Sequence, residues 1–156
     1  MNDALFVPPG GPPAEGPSRD TYGRMGEENI FRLCADFYRA LEKTEIRPLF
    51  PSDMAEASKK LGAFLVGLLG GPPLYHERYG PPRLRARHLP FAIDENARRV
   101  WFSTFCGVLK NAAVDYQFPP EHLPGFIAFL DAFAGWMVNR PPTYDPRAPV
   151  ENQPPS

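Results

Sequence analysis

Proline and glycine cut this chain into short pieces before anything else is known about it. Gly70-Gly71-Pro72-Pro73, Pro90, Pro119-Pro120 and Pro141-Pro142 are places that no helix crosses. Proline has no amide donor and clashes with the preceding turn, and glycine loses backbone entropy. Between these breaks, apolar residues recur at three-four spacing, the repeat of one helical face. A short helix is expected over Tyr22 to Met25, ended by Gly26. The next opens at Glu27 and Glu28, where a helix dipole favours acidic residues, and aligns Ile30, Phe31, Cys34, Phe37, Tyr38 and Leu41. After a proline-bracketed corner, Ile46 to Pro51, Ser52 or Asp53 caps a third helix carrying Met54, Ala57, Leu61, Phe64, Leu65 and Leu68. Residues 74–82 read as a loop, leading into a very short helix near 83–88. Asp94 caps a long helix through about Tyr116, with Trp101, Phe105, Val108 and Ala112 inward. A last helix runs from Leu123 through Phe126, Ile127, Leu130, Phe133, Ala134 and Met137. No segment alternates with period two, so the fold class is all-α.

The 156 residues suit a single domain with a core of its own. A formal net charge of -1 excludes nucleic acid or an anionic membrane as a general partner, since both select a strong basic excess. Of 21 prolines, five lie in residues 8–17 and six in 141–155, so 1–19 and 141–156 read as Pro-rich tails around a domain at 20–140. Cys34 and Cys106 fall on apolar helical stripes and read as two reduced, buried thiols. The opening residues carry no basic group and only four consecutive apolar positions, unlike a signal peptide. No apolar run approaches the roughly 18 residues of a membrane span, so the expected location is cytoplasmic.

The segment Pro82-Arg83-Leu84-Arg85-Ala86-Arg87-His88-Leu89-Pro90-Phe91 sets one histidine after three alternating arginines, and Trp101 follows thirteen residues later. Upstream stand Phe37-Tyr38, Phe50-Pro51, Gly70-Gly71-Pro72, Tyr75 and Gly80. In this order and spacing the chain resembles the truncated haemoglobins, group II, from about Tyr22 to Asn139. It departs from them in having Met25-Gly26 where the family has Gly-Gly. The resemblance implies a truncated globin-like two-over-two helical sandwich with a haem pocket, and haem b (iron protoporphyrin IX) as cofactor.

By the same resemblance His88 is the proximal ligand to haem iron. A neutral imidazole leaves the opposite face open for a diatomic ligand, and its second ring nitrogen should donate to a backbone carbonyl of its own short helix. Ala57 and Leu61 take the distal positions on the third helix; both are apolar, so the iron is expected to be five-coordinate. Hydrogen bonding to a ligand then falls to Tyr38, which donates or accepts, and to Trp101, which only donates. Phe50 packs edge-on against the porphyrin. Phe64, Leu84, Phe91 and Ile93 join the apolar wall, with Phe37, Phe105 and Leu130 as further candidates. Lys60, Arg87 and Tyr75 face the propionates; Arg83 and Arg85 share that task or stay solvated. His76 and His122 have no such setting and read as exposed.

A globin frame fixes a cofactor and not a role. Three classes stay open. The first is binding of O2, and of NO or CO, for storage, transport or sensing. The second is a redox enzyme at the same haem, an NO dioxygenase or peroxidase-like, which would need a separate reductase. The third is a haem-free helical interaction module. As a protein, the chain is expected to be a monomer or homodimer.

Overall fold

The computed structural model describes residues 6–141, so the outer parts of both expected tails, 1–5 and 142–156, lie outside it. Among the described residues there is no strand. Eight helices follow one another: α1 (Thr21–Met25), α2 (Glu27–Leu41), α3 (Met54–Leu68), α4 (Leu74–Tyr79), α5 (Leu84–His88), α6 (Glu95–Val108), α7 (Ala112–Asp115) and α8 (Leu123–Met137). Helix α2 packs on α3 and α6 on α8, while α2 also crosses α6 and joins the two pairs. This is the two-over-two sandwich. No described helix is long and apolar enough to cross a membrane.

The caps and stripes explain the boundaries. Asp53 accepts from the Glu56 amide at 3.0 Å and Asp94 from Ala97 at 2.8 Å, satisfying orphan donors at the starts of α3 and α6. Phe37, Phe105, Phe118 and Phe126 are fully buried, and each large apolar side chain so removed from water contributes about 1.5–3 kcal/mol. Phe37 stacks on Phe105 at 4.1 Å, which locks α2 to α6. A Cβ on Gly62 would stand 2.5 Å from the Phe31 ring, so glycine is what lets α2 and α3 approach this closely.

Two stretches differ from the sequence expectation. Residues 74–79 form helix α4 where a loop is read, because Pro72 and Pro73 precede the first turn, where a missing amide donor costs nothing. The helix after Asp94 stops at Val108; Leu109–Asn111 tighten into a 3-10 turn before α7. The tighter turn keeps Leu109, Ala112 and Tyr116 all buried. Cys34 is buried as expected, whereas Cys106 is part-exposed, and both are free.

Residues 6–19 carry no helix, yet they run against the fold. The Tyr22 amide donates to Leu69 at 2.9 Å and Arg19 donates to the Gly67 carbonyl at 3.1 Å. Gly70 lies directly beneath: its φ is +108°, and a Cβ there would stand 1.9 Å from the Arg19 carbonyl oxygen.

Candidate functional site

Between the two helix pairs lies a cavity of about 690 Å³. Most residues that the sequence nominated for the pocket line it: Tyr38, Phe50, Ala57, Lys60, Leu61, Phe64, Tyr75, Leu84, Arg87, His88, Phe91, Ile93 and Trp101. Helix α2 brings Tyr38, α3 brings Ala57 to Phe64, α5 brings Leu84 to His88, and α6 brings Trp101. Phe37, Phe105 and Leu130 are not on the wall; they are sealed into the core behind it. Phe133, Ala134 and Met137 of α8, Ala97 and Arg98 of α6, and Ile46 and Leu49 of the corner line the cavity without having been nominated. Arg98 aside, these are apolar positions whose sequence carries no signal that separates cavity wall from core.

The imidazole of His88 is oriented from within its own helix: Nδ1 donates to the Leu84 carbonyl at 2.6 Å. A carbonyl only accepts, so Nδ1 carries a proton, and in the neutral ring Nε2 then keeps a free lone pair; Nε2 has no protein partner among the described residues. Helix α3 lines the cavity with Glu56, Ala57, Lys60, Leu61 and Phe64, and His88 is the one histidine among the lining residues.

Tyr38 and Trp101 share one neighbour. The Phe37 ring meets Tyr38 edge-on at 5.5 Å and Trp101 edge-on at 5.3 Å. Phe50 also meets Tyr38 edge-on, at 5.7 Å, and Phe105, stacked on Phe37, meets Trp101 at 5.4 Å. These contacts set both rings while leaving their polar atoms unclaimed, since neither has a hydrogen-bond partner among the described residues. Neither is a sealed, orphaned donor either: among the described side chains only Arg98 Nε is. Burial pushes the Tyr38 hydroxyl well above the usual phenol range, with the neighbouring Cys34 adding to it, so it stays a protonated donor. Burial pushes the Cys34 thiol up in the same way.

The arginines divide. Arg87 donates to the carbonyls of Tyr79, Pro81 and Pro82 at 2.8–2.9 Å and stacks over Tyr75 at 5.5 Å. The carbonyls of this proline-rich turn thereby gain the donor that prolines cannot supply. Its Nη1 is left without a protein partner among the described residues, and Lys60 lies over the Tyr79 ring at 5.5 Å. Arg85 neither faces the mouth nor stays solvated: it lies over the Trp136 ring at 4.7 Å and donates to the carbonyls of Trp136, Val138 and Phe6. Arg83 is exposed. His76 is exposed on α4 and His122 is half-buried beside Ser18 and Asp20, and neither lines the cavity.

The family model of bacterial-like globins matches residues 20–139. The group 2 truncated hemoglobin YjbI of Bacillus subtilis is 46% identical over 95 residues, covering 60% of this chain and 72% of that protein. The crystal structure of phosphate-bound Hell's gate globin IV superposes with a TM-score of 0.78 at 31% identity, covering 97% and 94% of the two chains. A truncated oxygen-avid haemoglobin from Bacillus subtilis gives 0.69 at 36% identity, covering 76% of this chain and 98% of that one.

Proposed function

The chain belongs to the bacterial-like globin family, and within it to the group II truncated haemoglobins; from that premise we propose that it binds dioxygen reversibly and releases it slowly. Haem b is the cofactor of the family, and the residues present suit it. The cavity has the volume of a cofactor site and an apolar lining with few polar groups. One neutral imidazole offers a free Nε2, and Lys60, Arg87 and Tyr75 stand at the mouth to receive the two carboxylates. Bound there, haem would supply an iron able to take a diatomic ligand.

What the protein contributes is position, polarity and the exclusion of water. His88 would hold the iron, and the Leu84 carbonyl keeps its ring in the liganding tautomer. Ala57 and Leu61 carry no ligating atom, so neither would compete with a diatomic ligand for the iron. Tyr38 and Trp101 would each donate to a ligand that draws negative charge, a preference dioxygen meets better than carbon monoxide. Their rings are held by Phe37 before any ligand arrives, so little ordering remains to be done on binding.

The observation that carries this reading is the meeting, in one apolar cavity, of an imidazole tied at Nδ1 with a phenol and an indole that have no protein partner. The test is stopped-flow oxygen release from the haem-loaded protein, run beside its reaction with nitric oxide. Slow release with a single nitric oxide consumption per haem supports an oxygen binder. Sustained nitrate formation with an added reductase would turn the assignment to an NO dioxygenase.

A further inference from the structure

Helix α5 is five residues long, too short to hold a shape alone, and after His88 the chain runs through Leu89-Pro90 to Ile93 without helix or strand. Phe91 in this stretch is 43% exposed, so packing does not anchor it. The imbalance is corrected from the far end of the chain. Asn139, just beyond α8, is only 3% exposed. Its Nδ2 donates to the His88 carbonyl at 3.1 Å and to the Phe91 carbonyl at 2.9 Å, and its Oδ1 accepts from the Ile93 amide at 2.9 Å. Its own amide donates to the Ile93 carbonyl at 3.0 Å. One carboxamide thus spans the whole turn that leaves the histidine.

On the proposal that His88 ligates haem iron, we propose that Asn139 is a positioning residue for the imidazole, setting the direction in which Nε2 points. The chemistry selects this side chain. The Phe91 carbonyl and the second lone pair of the His88 carbonyl, which already accepts from the Phe91 amide at 3.0 Å, take donors while the Ile93 amide takes an acceptor, and a carboxamide supplies both from one planar group. Aspartate has the same shape but would set an acceptor against both carbonyls. Arg85 works alongside it, tying α5 to the Trp136 and Val138 carbonyls at the end of α8. Helix α8 also lines the cavity with Phe133 and Met137, so one helix meets both the cavity wall and the turn that leaves the histidine.

The test is resonance Raman of the reduced, haem-loaded protein, read at the iron–imidazole stretching band, with haem transfer to apomyoglobin measured in parallel. N139D and N139A are expected to shift and broaden the band and to speed haem transfer about tenfold to a hundredfold, the usual cost of losing a partner that orients a metal ligand. T21V is the control: it removes the Thr21 hydroxyl bond to Ser18 at 2.8 Å, at a buried site off the cavity wall, and should lower melting while leaving the band in place. An unmoved band and unchanged transfer in both Asn139 variants overturn the inference alone. A band missing from the wild type, or one surviving in H88G, overturns the haem-ligand reading and this inference with it. Should neither Asn139 variant fold, hydrogen exchange on the wild type decides: an Ile93 amide exchanging as fast as in a free peptide overturns the clamp, and a protected one supports it.

Discussion

Tyr38→Phe removes one oxygen atom from the cavity wall and leaves everything else in place. The ring keeps its edge contacts with Phe37 and Phe50, and no protein hydrogen bond is lost among the described residues. The melting temperature of the apoprotein should therefore barely change. The ligand complex should change a great deal. A hydrogen bond to a charged group is worth about 1.5–3 kcal/mol. At about 1.4 kcal/mol per factor of ten, its loss speeds oxygen release roughly tenfold to a hundredfold. Carbon monoxide takes up little charge and should leave at nearly the wild-type rate. The assay is stopped-flow replacement of oxygen by carbon monoxide, with the reverse exchange as control. An unchanged oxygen off-rate in a folded variant would refute Tyr38 as the donor. Equal acceleration for both gases would mean a steric effect, and would refute the hydrogen-bond argument as well. The same burial makes a prediction about pH. Because the phenol is raised, the donor persists past the ordinary phenol value of about 10, so the wild-type off-rate should be flat from about pH 6 to pH 10.

His88→Gly should abolish stable haem uptake at ordinary concentrations, and millimolar-scale imidazole should restore the Soret band by filling the vacated position; a variant that holds haem unaided would exclude His88 as ligand. Trp101→Phe should also speed oxygen release, by less than tenfold if Tyr38 carries the stronger bond, and the double variant should show whether the two donors act independently. Cys34, buried and raised, should resist iodoacetamide in the folded protein while part-exposed Cys106 reacts, as mass spectrometry of tryptic peptides would show. Both raised groups, Cys34 and Tyr38, favour the folded state below their unfolded values of about 8.5 and about 10, so stability to urea should fall as the pH climbs past them.

The helical framework was legible because its signals are local. Caps at Asp53 and Asp94, the glycine and proline breaks and the three-four stripes lie within a turn or two of what they determine. Helix α4 was not, since six residues give too few repeats to separate a helical face from a turn. The family likeness named Tyr38, His88 and Trp101, and all three line one cavity. What the chain could not announce was contact at a distance. Asn139 reaches His88 across 51 residues, and Arg85 reaches Phe6 across 79, with no periodicity to betray either. Likewise Phe37 and Phe133 sit on equally good stripes, and only the assembled fold decides that one is core and the other cavity wall.

The crossing of Arg19 over Gly70 ties two distant parts of the chain to a common fate. As long as the amino-terminal arm follows this route, position 70 has room for a hydrogen atom and nothing larger, and its left-handed backbone asks for the same residue. A homologue that carries alanine or serine there must lead its arm elsewhere or do without one. The identity of a single residue at the end of α3 therefore forecasts the path of a segment fifty positions earlier.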